Sequence, residues 1–160
     1  MVPAEALRGR GIFAGVPDGK LERFARIGEP IVVKAGEFLF RLGDSAKWLY
    51  LIDRGKVDLS VPFHIQGAPR EIAIQTAGSG DTLAWSSLVR PHVLTMSARA
   101  VENSRLLRFS GEALGSLCHE EAETGLAVIE RLTEVVGRRL QQVQAMWIRE
   151  LQRSIDGSEG

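Results

Sequence analysis

The stretch AGEFLFRLGDSAKWLYLIDRGKV, residues 35–57, decides the fold class. Within it, the apolar runs Phe38–Phe40 and Trp48–Ile52 are separated by turn residues at Gly43–Asp44, and a further turn follows at Arg54–Gly55. These runs are too short for packed helices, whereas strands of this length bounded by glycine turns are common. The pattern predicts a series of short strands that close into a barrel or a jelly roll.

The pattern continues on both sides of this stretch. Upstream, Pro17–Asp18 suits the start of a short helix that ends by Gly28, and Pro30 is tolerated where a strand begins. The other predicted strands cover residues 31–34, 57–61, 72–76, 94–100 and 105–109, with a polar-leaning loop at 62–69. We therefore place the barrel at about residues 29–110 of a single domain that spans residues 1–160.

The stretch GDTLAWSSLVRPHVLTMSARA, residues 80–100, interrupts this strand series. Ala84–Val89 shows neither strand alternation nor the length of a full helix, so it predicts one tight helical turn. From Leu94 to Ala100 alternation returns, and Leu94 lies on the face that should point into the barrel. Two interpretations remain open. Either free N–H groups of the turn form an anion site beside a cavity, or the turn is a connector and Trp85 fills the core.

The last third of the chain predicts helices. Ser110 suits the cap of a short helix up to Cys118, and no proline interrupts the segment from Glu120 to Leu151. Apolar residues of the second helix recur at steps of three and four: Ile129, Leu132, Val136, Leu140, Val143, Trp147 and Leu151. Because the steps repeat every eleven residues, their seam should run nearly straight or turn slightly right-handed.

This second helix is longer than the barrel on which it packs. We therefore predict a homodimer through residues 129–151, with an interface at Val136, Leu140, Val143, Trp147 and Leu151. The alternative is a helix that packs only against its own barrel. The helices should cover about residues 111–151, and the polar residues 152–160 should form a disordered tail.

Composition excludes several classes of protein. The 160 residues carry 20 basic and 20 acidic side chains, so no global field draws the chain to nucleic acid or to an anionic membrane. The single cysteine, Cys118, excludes an intrachain disulfide and a cysteine-based zinc site. No signal core and no run of membrane-spanning length are present, so a cytoplasmic protein is expected.

The run from Ala35 to Val57 resembles the cyclic-nucleotide-binding domain family, in which A-G-E, G-D, Y-x-I and G-x-V recur at these intervals. The resemblance extends through Ser79–Asp81 to Arg138–Leu140, covers most of residues 11–150, and is strongest to the sensor half of bacterial Crp/Fnr-type regulators. It implies a mainly β fold with flanking helices: a double-stranded β-helix, or jelly-roll, barrel followed by a long C-terminal dimerisation helix. It also implies a role in signal transduction and lays a phosphate-binding cassette on Gly80–Ala100.

The cassette departs from the family pattern at two positions. Members that bind cyclic nucleotides usually read G-D-x-x-G-E, where the glutamate holds the ribose hydroxyl, but this chain has Ala84–Trp85 there. The family arginine that neutralises the phosphate is replaced by Leu94, followed by Thr95. Because neither indole nor leucine can replace these charged partners, cAMP and cGMP should bind weakly or not at all.

Other residues complete the candidate pocket. Arg90 and His92 are candidate substitute cations, and the resemblance lays base contacts on Val143 and Gln144. The remaining lining should come from Met96 and Ala98 on the inner wall and from Ser86 and Ser87 at a polar end. We expect either a mostly apolar site for a small flat molecule or a collapsed one with Trp85 folded inward.

The sequence favours a non-catalytic regulatory sensor domain that requires no cofactor. Two alternatives of the binding class are a true cyclic-nucleotide sensor using Arg90 and His92, and a docking domain whose pocket is filled by Trp85. A cupin-like enzyme would need paired histidines, but His64, His92 and His119 are scattered, and Ser86 and Ser87 suit turn hydroxyls better than nucleophiles. No DNA-binding domain is expected in this chain, because only a short polar segment follows Leu151. A small-molecule ligand is a possible partner, and no membrane is expected.

Overall fold

The computed structural model describes residues 1–158 as two antiparallel sheets flanked by helices. The helices are α1 (Asp18–Arg26), α2 (Gly111–Glu120) and α3 (Ala122–Ser158), with 3₁₀ turns at Ala4–Ala6, Gly11–Phe13 and Trp85–Ser87. The strands are β1 (Gly28–Val33), β2 (Phe38–Phe40), β3 (Trp48–Arg54), β4 (Val57–Ile65), β5 (Ala68–Ala77), β6 (Thr82–Leu83), β7 (Ser97–Ala100) and β8 (Ser104–Ser110). The predicted mainly β class is confirmed.

Each sheet has four strands. Their orders are β1-β8-β3-β6 and β2-β7-β4-β5, and the pairs are antiparallel. Neighbours in space are therefore mostly distant in sequence, as in a jelly roll, and the predicted jelly-roll barrel with a long C-terminal helix is confirmed.

The sheet β1-β8-β3-β6 is covered on both faces. Along β3, Leu49 and Leu51 belong to a core cluster beneath the helices, whereas Tyr50 and Ile52 belong to a second cluster inside the barrel. This explains why Trp48–Ile52 is a continuous apolar run, since a strand buried on both faces has no polar face to alternate. Aromatic rings fill the helix-side cluster, where the Phe13 and Phe109 ring centroids lie 4.9 Å apart.

Two predicted boundaries in the β region are wrong. Residues 62–69 form the end of a hairpin, because β4 continues to Ile65 and β5 begins at Ala68. The turn residues Gln66 and Gly67 both have positive φ, 51° and 79°, which is the geometry of a two-residue hairpin turn. After the cassette, β7 begins only at Ser97, since Val93 makes an isolated bridge to Ser45 and Leu94 lies outside the strand.

The two C-terminal helices start as predicted. The Ser110 hydroxyl accepts a hydrogen bond of 3.4 Å from the Ala113 N–H at the start of α2. Helix α3 does not end at Leu151 but continues to Ser158, which corrects the predicted disordered tail; residues 159–160 lie outside the described residues. Polar pairs one turn apart support this extension, including a 2.8 Å hydrogen bond from Gln152 to Asp156.

Helix α3 packs into the core only with its first half. Val128 and Leu132 are buried in the helix-side cluster, and Val135 packs against it. Residues 140–158 are exposed along the whole helix. Leu132 therefore faces the barrel. The other members of the predicted apolar stripe lie within about 100° of Leu132 around the helix axis, and five of them are 40–66% exposed: Ile129, Leu140, Val143, Trp147 and Leu151.

Candidate ligand site in the cassette

The predicted helical turn is present and is held by local hydrogen bonds. The Asp81 carboxylate accepts a 2.8 Å hydrogen bond from the Gly78 N–H, and the short strand β6 then pairs with β3. Ala84 adopts the left-handed conformation with φ 59° and reverses the chain into the 3₁₀ turn Trp85–Ser87. Left-handed backbone costs an alanine about 1–2 kcal/mol, which explains why the family has glycine at this position.

The cassette encloses a cavity of about 20 Å³, which we call the cassette cavity. Its lining comes from three strands, the cassette turn and α3: Phe40, Leu59, Leu83, Ala84, Trp85, Ser86, Leu94, Thr95, Met96 and Arg139. Sites for drug-sized molecules usually measure about 300–1,000 Å³, whereas a space of this size holds about one water molecule. The cassette is therefore closed in this conformation.

Leucine side chains, more than Trp85, close the cavity. Leu94 is 6% exposed and Leu59 is 4% exposed, and both belong to the cluster inside the barrel. Trp85 is half-buried and packs against the helix-side cluster with Leu88 and Val89, so the expectation that its indole folds into the barrel is wrong. The 3₁₀ turn that follows Ala84 directs Trp85 to the edge of the cavity, where it contributes part of the wall.

Arg139 of α3 supplies the cation at the cassette cavity. Its Nη1 donates a hydrogen bond to Oε1 of Gln75 on β5. Burial lowers the pKa of the Arg139 guanidinium, and the Asp81 carboxylate raises it in partial compensation. The sequence indicated Arg139 only as part of the family resemblance. Its position seven residues after Leu132 and four after Val135 places it on the barrel-facing side of α3.

Three predicted pocket residues lie elsewhere. Ser87, Arg90 and His92 line a separate groove between the cassette turn and the start of α2, about 990 Å³ in volume, which we call the α2 groove. They are not among the residues that line the cassette cavity in the described chain. Arg90 and His92 therefore do not face the position of the missing arginine, because the backbone turns again at His92, where φ is 58°.

The two residues expected to contact a base are also separated from the cavity. Val143 lines a third groove of about 260 Å³ between α3 and β5, together with Gln75 and Arg139. Gln144 is exposed and lines none of the three cavities described above. Of the predicted pocket residues, the structure brings six together at the cassette cavity: Ala84, Trp85, Ser86, Leu94, Thr95 and Met96. Ala98 is buried but does not line it.

The three histidines lie in different parts of the fold. No group of three or more His, Cys, Asp and Glu side chains in residues 1–158 is arranged to hold a metal ion. His64 lies on β4 opposite Pro69, and not in a loop, while His119 lies in the last turn of α2. None of the described helices is long and apolar enough to cross a membrane.

A jelly roll with a cassette between β6 and β7 and a long helix after β8 defines a cyclic-nucleotide-type sensor fold. The family model "cyclic nucleotide-binding domain" matches residues 30–121, and the chain belongs to this family. No curated protein sequence matches the chain.

Solved structures agree with this assignment. A candidate cyclic nucleotide-binding protein of Geobacter metallireducens is 26% identical with a TM-score of 0.72, and the match covers 88% of this chain and 99% of that one. The catabolite activator protein of Thermus thermophilus is also 26% identical, with a TM-score of 0.69, over 88% of this chain and 62% of that one. The c-di-GMP-responsive regulator CLP of Xanthomonas campestris shares the fold at 20% identity, with a TM-score of 0.70 over 83% of this chain and 64% of that one. The chain therefore corresponds to less than two thirds of these last two regulators.

Proposed function

We propose that this chain is a non-catalytic, dimeric regulatory domain of the Crp-like type whose cassette does not bind cAMP or cGMP in the usual way. The observation that carries the proposal is the cassette cavity, whose volume of about 20 Å³ is too small for a nucleotide. Leu94 and Leu59, both nearly fully buried, occupy the space that a ligand would need.

The chemistry of the cassette supports the same conclusion. A cyclic phosphate beside Leu94 would lose its water without gaining a cation, and a ribose hydroxyl beside Trp85 would find no carboxylate. Loss of such a charged partner typically costs about 2–5 kcal/mol, which is enough to turn micromolar affinity into millimolar. Arg139 could replace the missing cation only by giving up an existing contact, because its guanidinium already donates a hydrogen bond to Gln75.

The geometry does not favour a true cyclic-nucleotide sensor that uses Arg90 and His92, since both residues line the α2 groove. A nucleotide in an opened cassette would instead have Arg139 as its nearest cation. The fold itself accommodates other signals, because the Xanthomonas campestris regulator is described as responsive to c-di-GMP. A small-molecule ligand of a different class therefore remains compatible with the proposal.

The proposal includes the homodimer and its location. The exposed apolar residues on α3 supply the surface for a second copy, and the family resemblance implies a long C-terminal dimerisation helix. We place the domain in the cytoplasm, which suits its single cysteine, Cys118, a buried free thiol.

Calorimetric titration of the chain with cAMP and with cGMP at pH 7 tests the proposal. We expect a dissociation constant weaker than about 10 μM for both nucleotides, equivalent to less than about 7 kcal/mol of binding free energy. The double variant Trp85→Glu/Leu94→Arg restores both family partners, and any gain in affinity should appear there first.

Binding of either nucleotide at or below about 10 μM by the unaltered chain would overturn the proposal. In that case the variant Arg139→Ala identifies the cation, with Arg70→Ala as the matched control. Arg70 is an exposed arginine on β5 that lines none of the three cavities.

A further inference from the structure

The α2 groove is the largest cavity described above and does not belong to the cassette. It measures about 990 Å³ and lies between Lys47 and Trp48 on one side, Ser87 to His92 on another, and the first turns of α2. Apolar surface from Trp48 and Leu88 lies next to side chains that carry positive charge or hydroxyl groups. The groove is open to solvent and is large enough to hold a small molecule.

Ser87 forms part of the floor of this groove and has an unexplained hydroxyl. The residue is 4% exposed, and its Oγ is the one buried side-chain polar atom in residues 1–158 without a hydrogen-bond partner. Nearly all buried polar groups in proteins are paired, and an unpaired one calls for a specific explanation. The Oγ is covered in this conformation, so a ligand oxygen would supply the missing partner once the lining of the groove moves to uncover it.

The charges around Ser87 favour an anion. Neither Lys47 nor Arg90 forms an ion pair within the described residues, and Glu112 is the one carboxylate among the lining residues there. The backbone carbonyl of Lys47 accepts a 2.9 Å hydrogen bond from the Gly111 N–H, which fixes Lys47 beside the positive end of the α2 dipole.

Two histidine rings in the groove are oriented by backbone carbonyl groups. Nδ1 of His92 lies 3.0 Å from the Ser86 carbonyl oxygen, and Nδ1 of His119 lies 2.8 Å from the Gly115 carbonyl oxygen. Because a carbonyl oxygen only accepts, each Nδ1 carries the proton and each Nε2 is left for another partner. Both rings line the groove.

The close approach of the cassette turn to α2 depends on a glycine at the start of the helix. A Cβ on Gly111 would lie 2.5 Å from the Ser87 carbonyl oxygen, so only glycine allows this contact. Ser87 is thereby held against the first turn of a ten-residue helix, where backbone dipoles favour negative charge.

We propose that the α2 groove binds a small organic phosphate monoester, with the phosphoryl group among Ser87, Lys47 and Arg90 and the organic part against Trp48. A phosphoryl group has three terminal oxygens and can use donors from all three residues, whereas a carboxylate has only two oxygens. This site is separate from the cassette and does not depend on the proposed function.

Calorimetric titration with phenyl phosphate tests the site, with benzoate and phenol as probes that keep the ring and change the charged group. We expect phenyl phosphate to bind with a dissociation constant of about 1 mM or tighter, benzoate about tenfold more weakly, and phenol not at all. Arg90→Ala should weaken phenyl phosphate binding about tenfold, because it removes a charged hydrogen-bond donor. The matched control Arg70→Ala should leave it unchanged.

The variant Ser87→Ala separates a binding role from a structural one. It should weaken phenyl phosphate binding about fivefold while leaving the unliganded protein's unfolding temperature equal or higher, since it removes a buried hydroxyl without a partner. The proposal is overturned if phenyl phosphate gives no heat up to about 10 mM. It is equally overturned if Arg90→Ala and Ser87→Ala bind it like the unaltered chain, or if benzoate binds as tightly. Titration with cAMP on the same samples reports on the cassette independently.

Discussion

Trp85 and Leu94 act on the cassette in different ways although both replace charged family residues. Leu94 is 6% exposed inside the barrel and removes volume where a phosphate would lie. Trp85 packs on the other core cluster, beneath the helices, and reaches the cavity with part of its surface. Between them, Trp85 and Leu94 join the lining of the cassette cavity to both core clusters. A change at Trp85 should therefore affect the stability of the fold as well as ligand binding.

Replacement of Trp85 by alanine should destabilise the fold by about 2–4 kcal/mol, slightly less than the usual loss for a fully buried tryptophan. The indole is half-buried against the helix-side cluster, and its removal leaves a cavity there. Urea unfolding at a fixed protein concentration measures the change, and Trp85→Phe, which keeps most of the ring, should cost less than about 1.5 kcal/mol. A loss below about 1 kcal/mol for Trp85→Ala would show that the ring contributes little packing.

Cys118 provides a test of burial through its ionisation. Burial raises the pKa of the Cys118 thiol to about 11 from the ordinary value of 9.0. Since thiolates are the reactive form, a disulfide reagent should label Cys118 very slowly in native buffer at pH 8 and rapidly in urea. Between pH 9 and 11 the unfolded chain loses this proton and the folded chain keeps it, so the contribution of Cys118 to stability falls as pH rises through that window. Rapid stoichiometric labelling at pH 8 without urea would contradict this prediction; the chain has no other cysteine to confuse the signal.

Sequence reasoning located the altered cassette residues but not the side chains opposite them. Alternation correctly predicted that Leu94, Ala98 and Ala100 would be buried. It could not predict the direction of Arg90 and His92, because the backbone is left-handed at His92 and a two-residue period does not apply there. The role of Arg139 could be found only by knowing how far along α3 the barrel extends, because Arg139 lies seven residues after the buried Leu132.

Among the secondary-structure elements, the short strands were predicted well, whether one or both of their faces are buried. The runs at β2, β3 and β8 were recognised because their apolar residues are bounded by turns. The strands of the β4–β5 hairpin were predicted too short because the polar-leaning residues 62–69 suggested a loop, although Pro62 and Pro69 both lie in the paired region. The signal that could have found it is Gln66–Gly67, a two-residue turn in which glycine takes one of the positive φ angles.

The exposed side of α3 gives the most direct prediction at this scale. Val143 is 40% exposed and Trp147 is 66% exposed in the single chain, and both should be buried by a second copy. The double variant Val143→Glu/Trp147→Glu should therefore be a folded monomer by size exclusion with light scattering, whereas the unaltered chain should be a dimer.

A matched control places two charges elsewhere on α3. At 100° per residue, Gln141 and Ala145 lie on the opposite side of the helix from the predicted interface. The variant Gln141→Glu/Ala145→Glu should remain dimeric. If the unaltered chain is monomeric at high concentration, the exposed residues of α3 do not form the interface, and the alternative of a helix packed only on its own barrel is favoured.

The whole molecule consists of two cores joined by one sheet, with a helix that extends beyond both. The helix-side cluster and the cluster inside the barrel share the strands β3 and β8, so they should unfold together. Residues 140–158 of α3 add to neither core. We expect a partner to stabilise that half of the helix, because a helix of this length without tertiary packing is marginal in water.

This arrangement predicts that stability depends on protein concentration. If two chains associate through α3, unfolding also separates them, and each tenfold rise in concentration adds about 1.4 kcal/mol per dimer to the free energy of unfolding. For a dimer of 160-residue chains, this should raise the unfolding temperature by about 2 °C per tenfold increase. Differential scanning fluorimetry or circular dichroism over a hundredfold range measures the shift. The variant Val143→Glu/Trp147→Glu should show no shift, because its unfolding does not include dissociation. An unfolding temperature of the unaltered chain that stays constant across that range would mean that α3 is stable without a partner, and the regulatory domain would then act as a monomer.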